Sequence, residues 1–321
     1  MSALLEVEDL EVVYGRPGSP GAVKAVDGVS FRVERGRTLG LVGESGCGKS
    51  TTGYALLQLV RPTAGRVVFN GTDLCGLERS ALRRMRRKLQ IIFQDAHASL
   101  NPRMPIGALV GEALDIHGLH PGGARAPRIR QLLDMVGLAG HLVERYPHEL
   151  SGGQAQRVAI CRALAVEPEL IVCDEPVSAL DVSIQAQIVN LLQDLQQRLG
   201  LAYIFISHDL SVVRHVSDDI AVMYLGRIVE FAGKRGIYEA PAHPYSRALM
   251  SAVPVPDPEL EAKRQRVILT GDLPDPAHPP SGCRFRTRCP VAIDECAAVD
   301  PVQYPLEPGH WAKCIRLAKG A

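Results

Sequence analysis

Several absences narrow the field before any motif is read. The chain has no charge excess: 36 basic and 35 acidic residues among 321 leave a formal net charge of +1. A dedicated nucleic-acid surface draws its affinity from neutralising phosphates and needs a basic surplus. No nucleic-acid partner is expected, although an even balance leaves room for a local basic patch. No apolar run approaches the roughly 18–20 residues that a spanning helix requires. The opening stretch MSALLEVEDLEVVYG carries acidic residues and lacks the apolar core of a signal peptide. The expected location is the cytosol, with any membrane contact made through a partner. There is no internal repeat and no low-complexity tract. The eight cysteines form no C-x₂₋₄-C pair, the spacing usual in structural zinc sites.

What is present reads as a large α/β domain with a smaller appendage. Apolar residues make up 46% of the chain, enough for a sizeable core. Leu5, Val7, Leu10 and Val12 alternate with polar residues, predicting a strand over 4–13. Gly15 to Gly21 is a Gly/Pro loop. Ser30–Val33 and Thr38–Val42 read as strands around the turn residues Arg35-Gly36, and Ser50–Leu59 as a helix ended by Pro62. Gln90–Phe93 is a short apolar strand. Residues 105–166 change rhythm, with Leu132, Leu133, Val136 and Leu138 at helical spacing, predicting an inserted helical subdomain over about 95–166. The α/β alternation then returns: strand Leu170–Cys173, helix Ser183–Leu199, strand Ala202–Ile206, helix Leu210–Val216, and strands Ile220–Tyr224 and Ile228–Phe231. Such alternation implies a mainly parallel sheet with right-handed crossovers. Composition shifts near residue 240. Pro241 to Pro280 is dense in proline, so the expected domains are 1–240 and a small separate C-terminal module over 241–321.

Gly43-Glu44-Ser45-Gly46-Cys47-Gly48-Lys49-Ser50 fits G-x-x-x-x-G-K-[ST] between an apolar strand and a helix, the context that distinguishes a phosphate loop from a chance glycine-rich turn. Glycines let successive N–H groups curl around a β-phosphate. Lys49 brings positive charge to the β- and γ-phosphates, and the helix N-terminus adds its dipole. Ser50 offers a hydroxyl to Mg²⁺. Cys47 reads as a small filler, since no activating base is in view.

A second constellation follows the strand Leu170–Cys173. Asp174 stands where a carboxylate can hold the Mg²⁺ shell, and Glu175, one residue on, is a general-base candidate for an attacking water. Ser207-His208-Asp209 follows another apolar strand. His208 at that strand's C-terminal end is where ligands bind in open α/β sheets.

These residues resemble the ABC transporter ATPases. Leu150-Ser151-Gly152-Gly153-Gln154 looks like the ABC signature and Ser178-Ala179-Leu180-Asp181 like the D-loop. Gln94, after Ile91-Ile92-Phe93, looks like the Q-loop glutamine, and Tyr14 like the aromatic that stacks on adenine. The resemblance spans residues 1 to about 240. It implies a P-loop ABC fold with an N-terminal antiparallel β subdomain, Mg²⁺ held by Ser50, Gln94 and Asp174, and Thr51 and Asp181 among the ATP-binding residues. It also implies two such domains sandwiching two ATP molecules, with Ser151, Gly152, Gly153 and Gln154 serving nucleotide bound to the partner. A narrower resemblance, to the ATPases of dipeptide and oligopeptide importers, is carried by Phe93-Gln94-Asp95, Ser99-Leu100-Asn101-Pro102-Arg103, Pro176-Val177-Ser178-Ala179-Leu180-Asp181 and His243-Pro244-Tyr245. It implies a homologous, non-identical ATPase partner, two permease subunits, an extracytoplasmic peptide-binding protein, and residence on the cytoplasmic face of the membrane. Nickel and glutathione importers share much of the pattern. Ala96 and Ala155 depart from it at positions outside the ATP contacts. A soluble ABC ATPase acting on nucleic acid or ribosomes would carry two ATPase domains or a long coiled-coil insertion, and an exporter often fuses membrane spans; neither is seen here.

Cys283, Cys289, Cys296 and Cys314 fall within the last forty residues as C-x₅-C-x₆-C-x₁₇-C. Four thiolates suit a [4Fe–4S] cluster or Zn²⁺, and the loose spacing favours the cluster. Free or disulfide-linked thiols are the remaining alternative. Arg284, Arg286 and Arg288 interleave the cysteines, either offsetting a cluster's charge or simply solvated.

Overall fold

The computed structural model describes residues 3–16, 19, 21–254 and 266–319. Parts of the Gly15–Gly21 loop and of the proline-dense stretch, at 17, 18, 20 and 255–265, lie outside them. The chain gathers into two units, one of Met1–Val33, Thr38–Cys75 and Ser207–Ala321, the other of Glu34–Arg37 and Gly76–Ile206.

The first unit starts from the period-2 pattern of β1 (Leu5–Tyr14), whose Leu5, Val7, Leu10 and Val12 are buried. β1 pairs antiparallel with β2 (Val23–Val33). β3 (Thr38–Val42) is buried at all five positions, as a central strand with both faces covered should be. The glycine-rich loop follows and leads into α1 (Lys49–Leu56). α1 ends three residues before the expected Leu59, because Gln58 takes a left-handed φ of 54°. β4 (Ala64–Phe69) and β5 (Thr72–Asp73) complete an antiparallel sheet in the order β2-β1-β4-β5. The antiparallel N-terminal sheet implied by the family resemblance is therefore present.

The second unit begins with α2 (Arg79–Arg86) and β6 (Leu89–Ile92). The helical insert follows: α3 (Ala96–Ser99), α4 (Ile106–His117), α5 (Arg125–Met135) and α6 (Gly152–Leu164). α4 buries Ile106, Leu109, Val110 and Leu114, the stripe of a helix with one apolar face. Then come β7 (Leu170–Asp174), α7 (Val182–Leu199) and β8 (Ala202–Ile206). β6, β7 and β8 are parallel neighbours, with Ile171 opposite Tyr203 and Ile91 opposite Val172. Every residue of β7 and β8 is buried.

The chain returns to the first unit with α8 (Leu210–Val216), β9 (Asp219–Tyr224) and β10 (Arg227–Gly233). β9 runs parallel to β3 and antiparallel to β10. α9 (Lys234–Glu239) and α10 (Pro244–Ala252) follow; Pro244 opens α10 while His243 caps it, its Nδ1 accepting from the Tyr245 N–H at 3.1 Å. The short α11 (Glu295–Ala298), β11 (Tyr304–Glu307) and β12 (His310–Ala312) close the chain. β12 pairs with β10, setting Glu230 opposite Ala312 and Phe231 opposite Trp311. Among the described residues no helix is long and apolar enough to cross a membrane.

Candidate functional site

In the first unit the phosphate loop is shaped by three glycines with positive φ: Gly43 at 152°, Gly46 at 78° and Gly48 at 103°. Two of them are also sterically required. A Cβ on Gly43 would stand 2.1 Å from the Met223 carbonyl oxygen, and one on Gly48 2.1 Å from that of Ala25. Gly48 caps α1, so Lys49, Ser50 and Thr51 form the helix's first turn, where N–H groups lack intrahelical acceptors. Lys49 is buried and folded back, its Nζ donating to the carbonyls of Gly43 at 2.8 Å and Glu44 at 3.0 Å. Burial pushes the Cys47 thiol up against the pull of Lys49, which agrees with a packing role rather than a nucleophile's. Ser45 and Gly46 face solvent. Tyr14 is 45% exposed, and its hydroxyl lies 3.4 Å from the Thr51 Oγ1, so this ring stands beside the first turn of α1. His208 is exposed just ahead of α8, whose N-cap Asp209 accepts from Ser211 and Val212.

The second unit brings together the other group. Asp174 is buried at the end of β7. Glu175 turns out of the strand with a left-handed φ of 48°, a strained value for a non-glycine residue and of the kind that clusters at functional positions. Its N–H donates to the Ile206 carbonyl at 3.0 Å, while its own carbonyl accepts from the Ser178 N–H and hydroxyl. The Glu175 Oε2 accepts from Gln94 Nε2 at 3.0 Å, so two residues 81 apart in sequence meet. The signature opens α6 with a capping box: Ser151 Oγ accepts from the Gln154 N–H at 3.3 Å, and Gln154 Oε1 from the Ser151 N–H at 3.0 Å. Gly152 and Gly153 allow the D-loop and α7 to come close. Their added Cβ atoms would meet Leu180 Cδ2 at 3.2 Å and Ile184 Cγ2 at 2.7 Å. Asp181 is the exposed N-cap residue of α7.

The four C-terminal cysteines are all free thiols, and all line one small cavity together with Phe285, Arg286 and Ile315. Burial pushes the Cys283 thiol up to about 11, and its three neighbouring cysteines push the same way. Nevertheless, among the described residues no group of three or more His, Cys, Asp or Glu side chains is placed to hold a metal ion. A shared cavity is a looser arrangement than a ligand set.

The three arginines between those cysteines have specific partners rather than a common field. Arg284, 12% exposed, donates to the Asp27 carboxylate and the Leu225 carbonyl. Arg286 donates to the Ser281 carbonyl at 3.0 Å. Arg288, 8% exposed, makes a bidentate pair with Glu44 of the phosphate loop at 2.6 and 3.0 Å. Sequence reasoning did not find this last contact. A long-range ion pair has no periodicity, and only the fork geometry in space reveals it.

Comparison with known proteins identifies the family. The ABC transporter model matches residues 26–178, and the model of the oligopeptide/dipeptide transporter C-terminal region matches residues 229–296. The oligopeptide transport ATP-binding protein OppF of Salmonella typhimurium is 53% identical over 326 aligned positions, covering 98% of this chain and 96% of its own. A putative peptide import ATP-binding protein of Brucella ovis is 55% identical over 294 positions, 92% of each chain. Among solved structures, the dimeric bacterial ABC transporter cassette MJ0796 is 29% identical with a TM-score of 0.66, covering 72% of this chain and 99% of that one. The same cassette's dimeric post-hydrolysis state, bound to ADP and Pi, gives a TM-score of 0.65 at the same identity and coverage. With sequence relatives above half identity along almost the whole length, and with both models matched in order, the chain belongs to the ABC transporter ATP-binding proteins that carry the oligopeptide/dipeptide transporter C-terminal region.

Proposed function

We propose that this chain is the ATP-binding and ATP-hydrolysing motor of a membrane importer for dipeptides or oligopeptides. The observation that carries the proposal is the phosphate loop: glycine-shaped, ending on the first turn of α1, with a buried Lys49 whose ammonium is held by the loop's own carbonyls. The names of the relatives supply the cargo class.

In this reading the loop N–H groups of Gly43, Ser45, Gly46, Cys47 and Gly48 wrap the phosphates of ATP. Lys49 leaves the loop carbonyls for phosphate oxygens, exchanging neutral acceptors for charged ones. Tyr14 stacks on the base and Thr51 adds a hydroxyl. Ser50, Gln94 and Asp174 provide the oxygen donors that a hard Mg²⁺ takes, an assignment resting on the family pattern and the donor chemistry. When bound, Mg²⁺ neutralises charge developing on the phosphates. Glu175 accepts the proton of the attacking water. Gln94, already hydrogen-bonded to Glu175, keeps that carboxylate oriented, and His208 serves the γ-phosphate side. Ser151, Gly152, Gly153, Gln154 and Asp181 serve nucleotide on a homologous, non-identical partner ATPase. Closure of that dimer on ATP drives two permease subunits, with an extracytoplasmic peptide-binding protein delivering cargo and the motor held peripherally at the cytoplasmic face of the membrane.

The C-terminal thiols belong to the same proposal. Four free cysteines around one cavity are sulfur donors of the kind a [4Fe–4S] cluster takes, with Zn²⁺ as the alternative, although among the described residues they are not placed as a ligand set. Iron, sulfide and zinc analysis on anaerobically purified protein decides it. About four irons per chain would match the cluster; neither metal would remove it.

The motor itself is tested by reconstituting the chain with its partner ATPase and permeases in vesicles and following uptake of labelled dipeptide. ATP-dependent uptake that disappears with Lys49→Ala is expected. Uptake indifferent to that substitution would refute the assignment.

A further inference from the structure

We propose that the C-terminal extension positions the phosphate loop for ATP, with Arg288 and Tyr245 as positioning residues that act through Glu44. The inference rests on the ATP-binding reading of that loop.

Glu44 lies between Gly43 and Gly46, glycines whose missing Cβ leaves more backbone shapes open to this stretch than other residues would. The structure pins Glu44 by both its side chain and its backbone. Arg288 grips its carboxylate through two parallel N–H···O bonds of 2.6 and 3.0 Å, with the guanidinium largely shielded from water. The fork geometry fixes direction as well as distance, which a single-point contact cannot do. Tyr245 is fully buried, and its hydroxyl oxygen accepts the Glu44 N–H at 2.9 Å. That N–H is therefore already engaged by a buried oxygen.

The carbonyl of the same residue is one of the two oxygens holding Lys49. The other is the Gly43 carbonyl, which shares a peptide group with the Glu44 N–H, so what fixes Glu44 fixes both acceptors that Lys49 must release to reach a phosphate. Tyr245 is itself packed among aromatic rings. The Tyr245 ring packs on Tyr224 with centroids 4.8 Å apart and on Phe285 at 5.4 Å, and Phe285 also meets Tyr224 edge-on at 5.2 Å. Such buried aromatic contacts resist rotation. Phe285 and Arg288 both lie on the segment from Cys283 to Cys289, so the cysteine-bearing segment touches the loop through Arg288 and supports Tyr245 through Phe285. Removing the clamp leaves the glycine-flanked loop to sample other shapes. ATP must then select the competent one, and apparent affinity falls by the fraction lost.

The test is a titration of the full-length chain with a fluorescent ATP analogue and Mg²⁺, with Lys49→Ala as the control for the phosphate loop. Arg288→Ala is expected to raise Kd about tenfold, within the range of coupling between neighbouring groups. Arg288→Lys should recover part of the loss, and Tyr245→Phe, which removes one oxygen, should weaken binding in the same direction. Glu44→Gln combined with Arg288→Ala should be no weaker than Arg288→Ala alone, because the two act as one unit; a general loss of stability would add instead. If Arg288→Ala does not fold by circular dichroism, Tyr245→Phe and Arg288→Lys carry the test. Kd within twofold of wild type in Arg288→Lys and Tyr245→Phe, with Arg288→Ala folded and equally unaffected or unable to fold, would overturn the proposal, provided that Lys49→Ala abolishes binding. A wild-type chain that does not bind the analogue would instead sink the ATP-binding reading.

Discussion

Replacing Asp27 by asparagine is the sharpest test of how the first unit is tied together. Asp27 sits in β2, 5% exposed, and its carboxylate accepts from Lys24 Nζ at 2.5 Å, Arg227 Nε at 2.6 Å and the Arg284 guanidinium. Arg227 in turn pairs with Asp300 at 2.6 Å. One carboxylate thus joins β2, β10 and the cysteine-bearing segment. Burial alone would raise its pKa, but the bonds from Lys24 and Arg227, with the field of Arg284, hold it below the ordinary carboxylate value. Asparagine keeps the shape and one acceptor but loses the charge, leaving two neighbouring arginines, 12% and 25% exposed, with a half-exposed Asp300 still paired to Arg227. Breaking a buried pair costs about 3–5 kcal/mol. The remaining amide acceptor and the 38% exposure of Lys24 place this change at about 3 kcal/mol. At about 2–4 °C per kcal/mol, Tm should fall by about 6–12 °C. The single tryptophan, Trp311, stacks on Phe231 in the same unit, so its fluorescence follows the relevant transition. The pH dependence has a definite sign. A depressed carboxylate stabilises the fold above its unfolded pKa and loses that contribution as pH falls through the folded value. Wild type and Asp27→Asn should therefore differ fully at pH 7 and converge in strong acid. A Tm shift below 1 °C at pH 7, or one of equal size at pH 7 and pH 2, would refute the reasoning.

Other substitutions follow from the same geometry. Glu175→Gln keeps an acceptor for Gln94 Nε2, so ATP affinity should stay within twofold while turnover falls about 10²–10⁴-fold, the usual worth of a general base; phosphate release in the reconstituted assembly measures it, and unchanged turnover removes Glu175 as the base. Gly48→Ala forces both a left-handed φ and a 2.1 Å approach to a backbone oxygen, whereas Gly46→Ala pays only for φ, with nothing within 4 Å of the new Cβ. The first should lower Tm clearly more than the second, whose cost is about 1–2 kcal/mol; equal shifts would contradict the packing around Ala25. Burial lowers His243 to about 3, so it stays neutral in the fold while the unfolded chain binds a proton near pH ~6.5. Stability should fall as pH drops from about 6.5 toward 3, by up to ~1.4 kcal/mol per pH unit. His243→Asn, which retains a helix cap, should flatten that slope in acid denaturation curves.

What the sequence determined by itself is local chemistry. The phosphate loop was legible because its glycines, lysine and serine act within eight consecutive residues between a buried strand and a helix. β3, β7 and β8 were legible because strands covered on both faces are continuous apolar runs. Expected helix and strand limits from Leu170 to Phe231 coincide with those found at most ends and differ by one or two residues at the rest. β4, α2, α9, α10 and the terminal hairpin β11–β12 were not anticipated: α2 and β11 bury no residue, and the others are short, mixed segments whose buried face comes from a neighbour, as that of β12 does from β10. Tertiary structure alone decided which distant side chains meet. It set Gln94 on Glu175, Tyr14 beside Thr51, four loosely spaced cysteines around one cavity rather than into a ligand set, and Arg288 on Glu44 across 244 residues of chain. Periodicity and motif spacing report how a segment treats water and its immediate neighbours. The partner of a single buried charge is chosen by the path of the whole chain, so no local pattern encodes it.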